Sequence, residues 1–194
     1  MSADLQYAGA ATIADARAEY FAHAGFDADG GYAAKWVKLK IGPARVAFPN
    51  STCRVRSVKL HDLHHILTEY DTSWTGEAEI AAWEVASGCR DHYVAWLLDL
   101  GAMLVGLFIG PKRTFTAFVR GRRSRNLYNG DFHPDMLECT VGDLRRKLDI
   151  PETASKANVA DAIAFLWWCA IAAAGTAVPS LVIAAAVAIV LFRG

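Results

Sequence analysis

From Ala162 to Phe192 the chain carries 31 consecutive residues without a charged side chain, punctuated by Gly175, Thr176, Pro179 and Ser180. A run of that length must be covered by protein or by lipid, so it limits the fold more than any other stretch. As two helices broken near Gly175 to Ser180, each is about 13 residues or about 20 Å long, short of a hydrocarbon core of about 30 Å. As one kinked helix from about Ile171 to Phe192 the run spans, with Trp167 and Trp168 near the interface and Arg193 at the far edge. A hairpin completing a soluble core competes with both, because an Ala-rich run is only mildly hydrophobic. The expectation is a membrane-associated tail over residues 156–194, contacting a membrane surface or bilayer.

The remaining residues, 1–155, are expected to form one domain with enough sequence for a sizeable core. The predicted fold class is mainly α, a helical domain with a minor short β-hairpin and a C-terminal apolar helix or helical hairpin. Twenty basic and twenty acidic residues cancel, but they are segregated. Seven Lys/Arg and no acid lie between Asp29 and Asp62, then eight acids and one base from Asp62 to Asp99, then six Lys/Arg and no acid before Asp131. Local patches are therefore possible. Neutral total charge, with no helix-turn-helix or base-stacking motif, argues against nucleic acid as a partner. Four cysteines (Cys53, Cys89, Cys139, Cys169) stand far apart without Cys-x-x-Cys. Together with a start that lacks an apolar core of secretory length, this predicts reduced thiols and the bulk of the chain on the cytoplasmic side.

The chemistry-bearing motif is His61-Asp62-Leu63-His64-His65, followed after eleven residues by Glu77. Residues i and i+4 share a helix face, so His61 and His65 point the same way, with Asp62 about 100° around from His61. Leu60, Leu63 and Leu67 recur at i, i+3 and i+7 and give this helix a separate apolar stripe. Two imidazoles and two carboxylates make a complete set of ligands for zinc, manganese or iron(II), and spacing alone does not choose among them. A solvated helix face is the competing reading. So is Glu77 as an ordinary acid in the first turn of a helix. Glu84, seven residues on, shares the face of Glu77 as a further ligand or an acceptor behind one.

This His-Asp-x-x-His with its distant Glu resembles the ubiquinone (coenzyme Q) biosynthesis family often called Coq-four. The similarity runs from about Pro49 to Pro151, since Thr140 to Pro151 (TVGDLRRKLDIP) also resembles that family's end. The resemblance implies a mostly helical fold and a divalent metal, zinc first and iron or manganese as alternatives, held by His61, Asp62, His65 and Glu77 as metal ligands and catalytic residues. It implies a polyprenylated aromatic lipid as substrate and other ubiquinone biosynthesis proteins as partners, with a homodimer also considered. The implied activity is oxidative decarboxylation and hydroxylation of a prenylated hydroxybenzoate ring, together with organisation of the biosynthetic complex. A prenyl-lipid-binding scaffold with a structural metal is the alternative. A His-Asp metal phosphohydrolase ranks last, because only His23 and Asp91 or Asp99 are on offer for its further ligands. The family's members are peripheral, and the apolar tail departs from that pattern.

Around the motif, Thr12 with Asp15 predicts a helix start, and Gly25 its end. Lys35 to Ile41, alternating Val37, Leu39 and Ile41 against Lys38 and Lys40, predicts a half-buried strand paired with Arg45 to Phe48. The motif helix is expected from Ser51 to Thr68. Thr75 is the expected cap of the next helix, which ends at Ser87 and Gly88. Asp91 to Ile109 is expected as a buried core helix, because about 17 residues with a central Asp99 suit a membrane span poorly. Arg120 to Arg125 is read first as a solvated loop, then as a clamp for an anionic ligand or lipid headgroup. Thr140 with Asp143 caps a last short helix stopped by Pro151.

Overall fold

Thr12 and Thr140 are the same local device used twice, and together they fasten the two ends of the helical domain. In the computed structural model, which describes residues 7–41 and 44–193 (backbone alone for 38–41, 44, 46 and 177–193), each threonine hydroxyl accepts the N–H of the acid three residues on. Each acid accepts the hydroxyl in return, at 2.7 and 2.6 Å. These caps start helices α1 (Ile13–Ala24) and α6 (Val141–Lys147). The cap residues pair as an isolated antiparallel bridge, with Ile13 N–H on Cys139 O and Val141 N–H on Ala11 O, both 2.9 Å. Gly25 ends α1 at φ 70, a left-handed conformation that glycine adopts without steric cost.

Between them, strands β1 (Trp36–Ile41) and β2 (Ala44–Pro49) form an antiparallel hairpin with Trp36 opposite Pro49. The expected side-chain alternation at Lys38 to Ile41 lies outside the described residues. Helix α2 (Thr52–Thr68) starts at Ser51, whose hydroxyl accepts from Arg54 N–H. Its stripe of Leu60, Leu63 and Leu67 is fully buried with Ile66 against Trp83 of α3 (Trp74–Ser87). Truncating one of those leucines to alanine would cost about 2–5 kcal/mol.

Helix α3 is capped by Ser73, two residues before the expected cap at Thr75. Asp71 accepts the Ser73 N–H at 2.8 Å and turns the chain early, and the Ser73 hydroxyl then accepts from Gly76. Position 76 must be glycine, because a Cβ there would overlap the Asp71 carbonyl. Glu77 sits in the first turn, as expected.

Helices α4 (Tyr93–Ile109) and α5 (Pro111–Gly121) pack on α3, and α7 (Val159–Arg193) packs on both. Helix α5 had no counterpart in the sequence reading. Helix α4 is a core helix on one side only: Ala95, Asp99, Met103 and Gly106 are buried, while Leu97, Val105 and Phe108 are exposed. The segment Arg120 to Arg125 is not a solvated loop. Arg120 is buried and donates to Thr68 O and Pro151 O, both at 2.8 Å. Arg122 and Arg123 grip Asp161 at 2.8 and 2.7 Å, and Arg125 pairs with Asp149 at 2.8 Å. These cations tie α5 to the end of α2 and the start of α7, so they are internal fastenings.

Of the two forms expected for the tail, the backbone adopts the helix. It runs for 35 residues without the break expected near Gly175 to Ser180. The side chains expected at its far edge, including Arg193, lie outside the described residues.

Candidate metal centre

Four of the five residues from His61 to His65 are buried, because α2 lies between α1, α3 and the turn at Leu127–Asn129. Burial forces each imidazole to find partners, and those partners define which nitrogen carries hydrogen.

His64 Nε2 accepts the backbone N–H of Leu127 at 2.9 Å, so its Nδ1 bears the hydrogen and donates to Glu84 Oε1 at 2.5 Å. His61 Nδ1 lies 3.0 and 3.1 Å from the two Glu84 oxygens, which as a carboxylate only accept, so His61 also donates from Nδ1. His65 Nδ1 donates to Tyr70 O at 2.8 Å. The Nε2 atoms of His61 and His65 therefore carry bare lone pairs in their neutral forms, and they face each other at 3.2 Å. Glu77 completes the triangle, with one oxygen 3.6 Å from His61 Nε2 and the other 3.5 Å from His65 Nε2.

Three converging acceptors repel unless a proton or a cation joins them. A tetrahedral ion with ligands at about 2.1 Å would space those ligands about 3.4 Å apart; the two Nε2 atoms lie at 3.2 Å, and Glu77 reaches each of them through a different oxygen at 3.6 and 3.5 Å. His61, His65 and Glu77 thus fit a divalent ion as two imidazoles and one carboxylate.

The charges follow from this arrangement. Burial opposes charge on His61, but Glu84 and Glu77 outweigh it and hold its pKa well above the ordinary histidine value. Burial, then the charge on His61, push His65 below that value. Burial also lowers His64. Glu84 is fully buried, which favours the neutral acid, yet His61 and His64 keep it well below the usual carboxylate range. With a metal absent, one proton on His61 stands where an ion would neutralise the triangle.

Behind His61 lies a second, wholly buried layer. Asp99 of α4 shares a ligand-like group with His61 and Glu84 and accepts the Cys89 thiol at 3.3 Å. Burial and the nearby negative charge of Glu84 raise Asp99 well above its ordinary pKa, which favours its neutral acid form beside Glu84. This layer is saturated with donors. It orients His61 in the manner of a carboxylate behind a metal-bound histidine.

Asp62, the fourth expected ligand, stands apart from both groups among the described residues. Its carboxylate accepts the Tyr32 hydroxyl at 2.5 Å, and burial raises its pKa. The ring of Tyr20 stacks on His65 with centroids 5.5 Å apart. A cavity of about 60 Å³ beside His65 is lined by Tyr7, Tyr20, His23, Glu69, Tyr70 and Asp71. Of the residues that the sequence did not assign to the site, Asp99 carried a signal, as the sole charge in an apolar helix of 17 residues. Tyr32 and Tyr70 carried none, since Tyr70 contributes a backbone carbonyl and Tyr32 arrives from 30 residues away.

Comparison with known proteins finds no family model, no curated protein and no solved structure that matches this chain.

Proposed function

We propose that this protein binds one divalent metal ion through His61, His65 and Glu77 and acts on the polar head group of a polyprenylated aromatic lipid. The single observation that carries the metal reading is the pair of Nε2 atoms facing each other at 3.2 Å with their other nitrogens committed elsewhere. A bound ion there supplies a Lewis acid for a carboxylate or phenolate head group.

The chain's own residues do the rest. Glu84 and the Tyr70 carbonyl hold the two imidazoles in the ligating tautomer. Glu77 is half-buried and is the most exposed of the three ligating side chains. Asp62, with Tyr32, keeps a carboxyl group beside the site where it can hold a proton of the head group. The apolar helix α4, reaching the cluster through Asp99, suits a greasy substrate. With the motif resemblance, the preferred chemistry is oxidative decarboxylation and hydroxylation of a prenylated hydroxybenzoate ring in ubiquinone biosynthesis. Dioxygen would supply the hydroxyl oxygen, an external two-electron donor would reduce its second oxygen to water, and the carboxyl group would leave as carbon dioxide.

A second reading, a prenyl-lipid-binding scaffold with a structural metal, draws support from the buried Glu84 network, which links α2, α3 and the Leu127 turn. Metal analysis of purified protein tests the core claim. About one equivalent of zinc, iron or manganese is expected in the native chain, and its loss in His65→Ala with helix content retained by circular dichroism. A metal-free native chain that takes up no added ion would overturn both readings. Turnover of a prenylated hydroxybenzoate separates them: the scaffold predicts none, and a large fall in melting temperature on chelation.

A further inference from the structure

Helix α4 carries two stripes of identical spacing. Ala95, Asp99, Met103 and Gly106 face the core, and Leu97, Gly101, Val105 and Phe108 lie on the opposite side. Its one charged residue is on the inner stripe, so the outer one holds no charge for the helix's whole length. Leu97 is 75% and Phe108 88% exposed, with Tyr93, Leu98 and Ile109 beside them.

Helix α7 extends this face. Trp168 stacks on Trp96 with centroids 4.9 Å apart, joining the two helices. The next residues, Leu97 on α4 and Leu166 and Trp167 on α7, stand 75%, 66% and 65% exposed. The stretch Val159–Thr176 is long and apolar enough to cross a membrane, yet 17% of it is buried. Its acid, Asp161, is neutralised by Arg122 and Arg123 on the protein side.

We infer that the outer side of α4 and the exposed side of the first half of α7 together form a docking face for a lipid bilayer, so that the folded domain itself, and not its tail alone, lies against the membrane. The occupant follows from continuity. The face runs without interruption into a helix that continues uncharged to Phe192, and lipid is the surroundings that cover both at once. A face this apolar in a helix with no outward charge matches an interfacial segment buried about 5–10 Å deep. Docking there would leave the Glu84–Asp99 cluster about one helix diameter, 10–12 Å, from the lipid. The inference does not depend on the metal: the His65→Ala chain is expected to dock equally well.

The test uses the full chain with Cys53→Ser and Cys139→Ser, carrying an environment-sensitive dye at Phe108→Cys or, as control, at exposed Ala18→Cys. Vesicles of phosphatidylcholine and phosphatidylglycerol should shield the dye at 108 from iodide several-fold and leave the dye at 18 unchanged. Full quenching at 108 on vesicle-bound protein would mean attachment by the tail alone and would overturn the inference. Shielding at 108 before vesicles are added would assign the face to a second copy and overturn it too. With the dye moved to Val105→Cys on the same stripe, the double variant Leu97→Glu, Phe108→Glu should lose the shielding several-fold on vesicle-bound protein, and unchanged shielding would also sink the inference.

Discussion

The cluster at His61 and the arginine segment at 120–125 look alike as sequence: each packs ionisable side chains densely enough to suggest a ligand. In the folded chain they differ in one respect. Arg120, Arg122, Arg123 and Arg125 each find an acceptor within the protein. The Nε2 atoms of His61 and His65 instead find each other and Glu77. A saturated set of charges holds a fold together, whereas converging acceptors call for a proton or a cation between them. Within the His61 cluster the same contrast recurs on a smaller scale, with Glu84 saturated behind the ring and Glu77 half-exposed in front of it.

The comparison can be broken by substitution. Arg120→Ala leaves the buried Thr68 carbonyl and the part-buried Pro151 carbonyl without their donor and should cost about 3 kcal/mol in chemical denaturation, with metal stoichiometry unchanged. Altered metal content in a folded Arg120→Ala chain would erase the distinction between the regions. Glu84→Gln frees the tautomer of His61 and should weaken metal binding about 10- to 100-fold by competitive chelation. An unchanged affinity would mean that the inner layer orients nothing. Asp62→Asn should weaken binding less than Glu84→Gln does, because Asp62 is engaged with Tyr32. A loss as complete as in His65→Ala would make Asp62 a fourth ligand after all.

Acidity gives a further handle on the metal-free protein. His61 has a raised pKa in the fold, so the stability it contributes is complete below its ordinary value of about 6.5 and fades as pH rises through the higher folded value. Asp99 is also raised, so its contribution has the same sign and starts to fade from its ordinary carboxylate value upward. Melting temperature in the presence of a chelator should therefore fall as pH rises above neutrality, while metal-loaded protein holds its value because the ion replaces the proton. Parallel curves with and without metal would contradict that exchange. The smallest effect is expected for Arg125→Ala, an exposed pair with Asp149, at about 1 kcal/mol or less.

Local signals in the chain were strong where the physics is local. Thr12 with Asp15, Thr140 with Asp143 and Ser51 are caps settled within four residues, and the leucine stripe of α2 follows from helical period alone. His61 and His65 share a face for the same reason, and Glu77 is drawn to a first turn by the helix dipole. Helix α5 passed unread because its pattern of exposed Lys112 and Arg113 against buried Phe118 and Val119 is short and opens on a proline. The cap of α3 was misplaced by two residues because Asp71, a loop residue, sets where the turn closes.

What the amino-acid order determined alone was most of the helices, the caps at Thr12 and Thr140, the pairing of two imidazoles on one face, and the uncharged tail. The tertiary structure decided which acids meet those imidazoles. Glu77, Glu84 and Asp99 come from helices whose mutual packing depends on buried apolar area, which has no direction and leaves no local trace of who will touch whom. It also decided which nitrogen of each ligating ring is bare, since that follows from Glu84 behind His61 and from the Tyr70 carbonyl behind His65, a backbone group that any residue type could have supplied.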